Sequence, residues 1–453
     1  MTTKVVKFGG SSLANAVQVR KAIAIVQADP ARKIVVVSAP GKRTPYDKKV
    51  TDQLYLWNTY KHGKHHEEEA AIVWEEISDR FSEIVQDLGL SLDIGRELAS
   101  IQNAEGASAD DVASRGEYLM AKILAEALGY EFVDAAEIIR LNSVKTDKGH
   151  LPTRDKLYNE PLTHSLVHER LKDRCAVVPG FYGTLLDHKT IKTFPRNSSD
   201  ISAAIIAAAL PADEYEKFTD VSGMLVADNR VVHNPRSITS ATYRELGELA
   251  IDPTGVFHPE AMYPVQAAGI VTTILNLDHP EGGGTIIYPD SHAPQLEPGT
   301  VIGIAARTGF SVITLYKAAM NREVGFMRRV LEVLEHEGLS FEHAPMGRDI
   351  VNVILESKQV GVHGDHIKER LYSFCNADEV KIENGLALIS TVGRAMRDTA
   401  GVAARLFDAL ARANVSSRVI DQGATEMNIV VGVAERDCNV AVNAIYDEFF
   451  PSR

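Results

Sequence analysis

Residues Lys4–Arg20, KVVKFGGSSLANAVQVR, decide the fold of the N-terminal half of the chain. Val5, Val6 and Phe8 surround Lys7 in a short run of strand-forming residues. Gly9 and Gly10 break that strand. Ser11-Ser12 are N-cap candidates, and Leu13, Val17 and Val19 begin a helical apolar pattern. The reading is strand, glycine turn, helix. Lacking Cβ atoms, the two glycines let backbone N–H groups close on a ligand. The helix that follows turns its partial positive end to the same spot, and Lys7 adds a full charge. This suits a phosphate, although the G-x-x-x-x-G-K-[ST] spacing is absent. On these residues alone, a plain strand-to-helix turn with nothing bound stays open.

Working outward, Lys33–Ser38 (KIVVVS) reads as a strand buried on both faces, Ala39–Lys49 as a loop, and Thr51-Asp52 as a helix start through Leu54 and Leu56. The resulting β-α-β-α order implies a sheet with helices on both faces. Residues 58–109 read as polar helices. Within them His62, His65, His66 and Glu67–Glu69 read as a solvated face rather than a metal site. Residues 110–129 form an amphipathic helix ending at Gly129. Ala176–Val178 is a further buried strand, followed by Pro179-Gly180-Phe181-Tyr182-Gly183. Thr193–Leu210, TFPRNSSDISAAIIAAAL, contains a nearly all-apolar helix whose N-terminus carries Arg196 and Asp200. An arginine fork beside helix-terminal N–H groups suits a carboxylate, though a merely capped helix stays open. The strand Glu216–Phe218 leads into Thr219-Asp220-Val221-Ser222-Gly223.

A length of 453 residues suggests about three domains. An apolar share of 45% is enough for real cores, and a net charge of −13 argues against nucleic-acid or anionic-membrane partners. Cys175, Cys375 and Cys438 are far apart and odd in number, so a reducing cytoplasm is expected. No signal peptide or membrane-spanning apolar run is read.

The motif KFGGSS resembles the opening of the aspartate kinases in the amino acid kinase family, and further motifs extend the resemblance along the chain. Val37-Ser38-Ala39 and Thr51-Asp52-Gln53-Leu54 resemble the family's V-V-x-S-A and T-[ND]-x-L. Ser114-Arg115-Gly116-Glu117 resembles S-x-G-E, and Pro179–Gly183 resembles P-G-F-x-G. Arg196–Asp200 reads R-N-S-S-D where the family has R-G-G-S-D, and Thr219–Gly223 resembles T-D-V-x-G. Asp228 and Arg230 match a D-P-R without its proline, and Gly255–Pro259 resembles K-V-[LF]-H-P with glycine for lysine.

The resemblance implies ATP-dependent phosphorylation of the β-carboxylate of L-aspartate, with Mg²⁺. It implies catalytic roles for Lys7 and Asp200, and substrate contacts from Ser38, Thr51, Glu117, Phe181, Arg196 and Ser199. Glu117 would take the α-amino group and Arg196 the α-carboxylate. Nucleotide contacts would come from Lys7, Gly9, Gly10, Ser11, Thr219, Asp220, Val221, Asp228 and Arg230. Because Asn197 and Ser198 replace the family's glycines, two rival functions stay open. One is a same-fold kinase for another amino acid; the other is a catalytically weak amino-acid sensor.

The C-terminal third contains a weak repeat at a constant offset: Met320 with Met396, Gly325 with Gly401, Leu334 with Leu410, Ser340 with Ser416 and Asn352 with Asn428. Each copy reads as strand, helix, strand, strand: Val312–Leu315, Val324–His336, Phe341–His343 and Ile350–Leu355, then Leu386–Ser390, Ala400–Arg412, Ser417–Ile420 and Met427–Val431. These units resemble the ACT domain, an amino-acid-binding regulatory module. The expected architecture is α/β: a three-layer kinase domain with a central, mostly parallel sheet over 1–295, then two ferredoxin-like ACT domains over 296–380 and 381–453. Met320, Asn321, Val324, Gly325, Phe326, Glu342 and Asp349 are the candidate effector residues. Lysine is preferred to threonine as effector, and a homodimer through the ACT domains or a higher homo-oligomer is expected.

Overall fold

The computed structural model describes residues 2–63, 65–142, 157–195, 198–249, 257–397, 399–423 and 427–451. Arg196, Asn197, Gly255 and the segment 424–426 lie outside these described residues. The chain forms two compact units. The first takes in most of the residues up to Met224, together with Ser237–Tyr243 and the stretch ending at Ala293; the second takes the rest.

The first unit is built on eight strands: β1 (Lys4–Phe8), β2 (Arg32–Val37), β3 (Glu131–Phe132), β5 (Ala176–Pro179), β8 (Glu214–Thr219), β9 (Ser240–Thr242), β10 (Val271–Asn276) and β11 (Gly284–Tyr288). They lie in the order β3-β5-β2-β1-β8-β10-β11-β9, all parallel to their neighbours except β10 with β11. A small second sheet orders β4 (Arg140–Leu141), β6 (Tyr182–Leu185) and β7 (Ile191–Thr193). β1 sits between β2 and β8, and its Val5, Val6 and Phe8 are wholly buried, so it is central to the sheet as its apolar run requires.

The helix Ala109–Leu128 starts from a capping box of Ser108 with Asp111 and ends on Gly129 at φ 69°. The helix Ser199–Ala209 is buried at every residue, which its Ala/Ile composition allows. The stretch 58–109 differs from its expectation. The helix Glu67–Leu88 is not polar throughout, because Val73, Trp74, Ile77, Phe81 and Ile84 form a buried stripe at helical spacing.

The second unit contains one antiparallel sheet of β12 (Gly303–Tyr316), β13 (Ile350–Glu356), β14 (Glu379–Val392), β15 (Val419–Asp421) and β16 (Asn428–Ala434), ordered β13-β12-β14-β16-β15. Here the structure corrects the strand reading of the repeat. β12 and β14 are single long strands that serve both copies. Phe310–Tyr316 pairs with β13 and with the first half of β14, while Gly303–Arg307 pairs with Leu388–Val392 beside β16. The second copy therefore takes its closing strand from a segment upstream of the first. Register shifts at Arg307–Ser311 mark the crossover, and β14 has Gly385 at φ 80° there.

Each copy also has a second helix that the repeat did not reveal, Gly364–Cys375 and Cys438–Phe449. Phe341–His343 is no strand; it touches β13 only through a bridge from His343 to Ile354.

Helix and strand residues make one apolar cluster per copy. A third cluster, of Phe310, Ile354, Leu386, Leu388, Val419 and Val430, is drawn from strands of both copies. Across it the two outer edges meet, His343 Nδ1 lying 2.7 Å from Asp421 Oδ2. The second unit also takes up Leu225–Arg236, whose Ala227 and Val232 enter the cluster of the second copy. That segment was expected within the 1–295 domain.

Candidate active site

The first unit gathers its chemistry at the carboxyl ends of its parallel strands, where ligands collect in open α/β sheets. Beyond each strand the chain donates back to a neighbour. Gly9 N–H reaches the Phe218 carbonyl at 3.2 Å, Ser38 N–H the Phe8 carbonyl at 3.2 Å, and Gly180 N–H the Val37 carbonyl at 2.9 Å. The strand ends are thereby held in one plane.

Glycine works here through close approach rather than through left-handed backbone. Gly10 sits at φ −62°. A Cβ on Gly41 would lie 2.6 Å from the Gly10 carbonyl carbon, one on Gly180 2.7 Å from Ser199 Cβ, and one on Gly116 2.7 Å from Ala39 Cβ. The last of these lets the helix Ala109–Leu128 press on the end of β2 and deliver Glu117.

Lys7, Asp200 and Lys217 form the centre. Lys7 and Lys217 are register partners on β1 and β8, so their side chains leave the sheet on the same face. Lys7 Nζ lies 2.7 Å from Asp200 Oδ1, and Lys217 Nζ donates to Asp200 Oδ2. All three are at most 5% exposed. Burial pushes the Asp200 carboxyl up, and the Lys217 and Lys7 ammonium groups more than reverse it, holding it well below the usual carboxylate range. The His258 N–H approaches Asp200 Oδ2 at 3.4 Å from the start of the helix Pro259–Ala267.

Glu117 is also buried. Burial pushes its carboxyl up to about 8, against the Ala39 N–H it accepts and the charge of Lys7. Its Oε2 has no hydrogen-bond partner among the described residues. Such an acceptor is costly unless a ligand donates to it.

Other residues named from the sequence are placed as follows. The Ser38 and Ser199 hydroxyls are 2.6 Å apart. Phe181 is buried at φ 78°, an outlier for a bulky side chain, its N–H on the Ser202 hydroxyl. Ser11 opens the short 3-10 turn Ser11–Leu13, Thr51 lies in the first turn of the helix Val50–His62, and Thr219 ends β8, with Asp220 and Val221 in the turn that follows. Asp228 and Arg230 pair with each other at 2.6 Å, in the Leu225–Arg236 segment of the second unit.

Lys217 was not singled out in the sequence. Its signal was a lysine before phenylalanine at a strand end, repeating Lys7-Phe8; the rings of Phe8 and Phe218 stack at 5.3 Å.

In the second unit, Met320–Arg322 forms a 3-10 turn, and Gly325 at φ 82° caps the helix Phe326–His336. Asp349 belongs with this loop, because its Oδ1 accepts the Ala319 N–H at 2.8 Å. Glu342 does not. The turn between His343 and β13 sets residue 342 opposite Ile354, and its carboxylate meets Arg307 at 3.2 Å.

The close approaches give a contrast in stability. Gly116→Ala and Gly180→Ala should each cost about 1–3 kcal/mol by overpacking. Gly247→Ala, inside a helix with open space around it, should gain about 0.4–1 kcal/mol. Urea unfolding of the three variants measures this, and equal effects at all three would refute the packing argument.

A model described as "Amino acid kinase family" matches residues 2–276, and one described as "ACT domain" matches residues 389–449. The chain is 38% identical to "Aspartokinase 3" of Bacillus subtilis over 99% of this chain and 98% of that protein. The crystal structure of Clostridium acetobutylicum aspartate kinase is 40% identical, covers 100% of both chains and superposes with a TM-score of 0.84. E. coli aspartokinase III in complex with aspartate and ADP, 23% identical over 99% of this chain and 100% of its own, shares the fold with a TM-score of 0.73. With these matches and a buried lysine–aspartate centre at the strand ends of the first unit, the chain belongs to the aspartokinases of the amino acid kinase family, with a C-terminal ACT region.

Proposed function

We propose that this aspartokinase transfers the γ-phosphoryl group of ATP to the β-carboxylate of L-aspartate, giving 4-phospho-L-aspartate and ADP, with Lys7, Glu117, Arg196 and Asp200 as the main participants. The observation that carries this reading is the buried ion-paired centre of Lys7, Asp200 and Lys217, together with a buried carboxylate oxygen on Glu117 that has no hydrogen-bond partner among the described residues. An anion and an ammonium ion are wanted side by side. MgATP and an α-amino acid supply both.

A carboxylate oxygen of aspartate attacks the γ-phosphorus, the bond to the bridging oxygen breaks, and that electron pair leaves on ADP. The nucleophile is already ionised, so no general base is required. Positioning and charge neutralisation are what the protein contributes. Lys7 faces the charge on the transferring group, and the Gly9-Gly10 turn lies against the phosphates with Ser11. Asp200 fixes the lysine, Ser38 and Ser199 border the substrate, and Arg196 takes its α-carboxylate. Thr219, Asp220 and Val221 face the adenosine end. Among the described residues no three His, Cys, Asp or Glu side chains cluster as metal ligands. Mg²⁺ would arrive with the nucleotide and supply charge neutralisation at its phosphates.

Regulation runs through the ACT region. The effector reading takes Met320, Asn321, Val324, Gly325, Phe326, Glu342 and Asp349, with lysine preferred to threonine; of the two carboxylates, Asp349 is the one hydrogen-bonded to the loop. A crystal structure of E. coli aspartokinase III holds lysine and aspartate. The ACT region also makes a homodimer the expected assembly, and a reducing cytoplasm its setting. Among the described residues no helix is long and apolar enough to cross a membrane.

A hydroxamate assay with ATP and a panel of amino acids tests the reaction. Aspartate should give the acyl phosphate, and Arg196→Ala should raise its KM tenfold or more, as loss of a contact worth about 1.5–3 kcal/mol implies, while the KM for ATP stays. Acyl phosphate from another amino acid alone would support the altered-substrate rival. None from any would support the sensor.

Glu117 gives a pH prediction. Its carboxyl, raised to about 8, is mostly protonated at pH 7 in the free protein, and an ammonium ligand favours the ionised form. Aspartate binding should therefore release close to one proton per site at pH 7, and the aspartate KM should fall as pH rises from 6 to 8. Calorimetry in buffers of different ionisation enthalpy reads the proton; no release, or unchanged release in Glu117→Gln, refutes the role.

Titration with end-product amino acids tests the effector. Lysine should inhibit, and Asp349→Ala should raise its half-inhibiting concentration at least tenfold. Inhibition by threonine with none by lysine would reverse the preference.

A further inference from the structure

Arg80 stands where the helix Glu67–Leu88 suits an apolar residue. It lies within the buried stripe of Ile77, Phe81 and Ile84 and is 3% exposed. Burying a guanidinium costs desolvation that one ion pair seldom offsets, so stability alone favours a side chain such as Met or Leu here. The arginine instead reaches the loop Ala39–Lys49. Its Nη1 donates to the Gly41 carbonyl at 3.0 Å and to the Ala14 carbonyl at 3.4 Å, and its Nη2 donates to Asp47 Oδ2 at 2.6 Å. Asp47 also accepts the Arg43 N–H at 2.9 Å, Arg43 Nε at 3.0 Å and the Lys48 N–H at 3.0 Å. Burial pushes the Asp47 carboxyl up, and these donors with the Arg80 charge more than reverse it, holding it well below the usual carboxylate range.

Loop and helix do not close on each other by apolar packing. A cavity of about 300 Å³ lies between them, lined by Tyr46 and Lys48 on one side and Glu76 and Asp79 on the other. Polar groups span it: Arg80 on the inside, and Arg43 with Glu83 at 3.2 Å on the solvent side. Gly41 is where this loop meets the Gly9-Gly10 turn. Its N–H donates to the Gly10 carbonyl at 2.8 Å while Arg80 takes its carbonyl. The Gly10 carbonyl also accepts the Leu13 N–H at 3.1 Å. The two ends of the loop carry candidate substrate groups. Ala39, next to Ser38, gives its N–H to Glu117, and the Pro40 carbonyl accepts the Val50 N–H at 3.2 Å just before Thr51.

We propose that Arg80, with Asp47, is a positioning residue for phosphoryl transfer: its guanidinium fork latches the loop Ala39–Lys49 to the Gly9-Gly10 turn, and so fixes the nucleotide phosphates relative to the substrate edge at Ser38, Glu117 and Thr51. The inference rests on the phosphoryl-transfer reading above. Arg80 acts through Gly41 and Asp47 rather than on the substrates. A lysine does not replace it, because an ammonium on a flexible stem lacks the planar fork that spans a carbonyl and a carboxylate.

The experiment compares wild type with Arg80→Lys, Arg80→Met and Asp47→Asn. Glu83→Gln, which removes the outer partner of Arg43, is the control. The readouts are kcat and both KM values, the urea midpoint, and the rate at which trypsin cuts at Lys42, Arg43, Lys48 or Lys49, mapped by mass spectrometry. Each Arg80 variant and Asp47→Asn should lower kcat about ten- to a hundredfold, as a misplacement of about 1 Å does. Either KM should move less than threefold, and cleavage within the loop should speed up at least tenfold. The urea midpoint of Arg80→Met should stay near that of wild type, since an apolar side chain suits the stripe. Glu83→Gln should match wild type in kcat.

A kcat within threefold of wild type in both Arg80→Lys and Arg80→Met overturns the proposal. So does a fall in kcat with loop cleavage unchanged, or with cleavage raised throughout the chain and a matching fall in the urea midpoint, which marks a merely structural residue. If Arg80→Met does not fold, Arg80→Lys and Asp47→Asn decide by the same limits. Wild type that makes no acyl phosphate refutes the phosphoryl-transfer reading and this inference together; active wild type with near-normal Arg80 variants refutes this inference alone.

Discussion

Asp200 holds two buried ammonium groups with one carboxylate, and much of the first unit is arranged to make that possible. The carboxylate must stand between β1 and β8 on the face where Lys7 and Lys217 emerge. It reaches that point because the helix Ser199–Ala209 is apolar on all sides and can start deep in the unit. The helix in turn fits only because Gly180 has no side chain where Ser199 approaches. A residue type chosen for volume thus sets an electrostatic geometry. Paired buried charges are weak sources of stability, since desolvation offsets their attraction.

The second unit obeys a different constraint. Its two copies are not beads on a string, because β12 and β14 run through both. A shift of β12 in one copy would move the strand that closes the sheet of the other copy. The element that links them is continuous backbone, a physical route of coupling rather than a correlation. The chain also passes directly from the Thr219–Gly223 turn into Leu225–Arg236, whose Ala227 and Val232 lie in the apolar cluster of the second copy. The candidate nucleotide turn is therefore tied by backbone to the regulatory core.

Local chemistry was legible in the sequence, and long-range pairing was not. KFGGSS, S-x-G-E, S-S-D and T-D-V-S-G each place a turn or helix start within a few residues, so their reading needs no partner. Lys7, Glu117, Ser199 and Asp200 accordingly fall where the motifs put them. Lys217 was hidden because a lysine inside EYEKFT reads as a strand residue until β8 is set beside β1. The strand Gly303–Arg307 was assigned to no copy, since its partner Leu388–Val392 is distant in sequence and only the register reveals it. Glu342 was grouped with the effector loop by proximity in the chain. A hairpin carries it to the other end of β13 and to Arg307. The glycines were read as conformational freedom, yet Gly10, Gly41, Gly116 and Gly180 have φ outside the left-handed region and serve by close approach.

The departure of R-N-S-S-D from R-G-G-S-D can be weighed on the same terms. A serine in place of glycine adds a Cβ and a hydroxyl, and either could reshape a substrate site. Ser198 does neither from where it stands. It is wholly buried, and its hydroxyl donates back to the Pro195 carbonyl. The added polar group is satisfied within its own turn, so it offers no new contact to a ligand and leaves no orphan to be filled. The next two residues keep their positions, Ser199 against Ser38 and Asp200 between the lysines. The argument for another substrate drew on this serine, and the structure removes that part of it. The proposed ammonium contact lies elsewhere, at Glu117, whose helix is brought close to Ala39 because Gly116 has no side chain there.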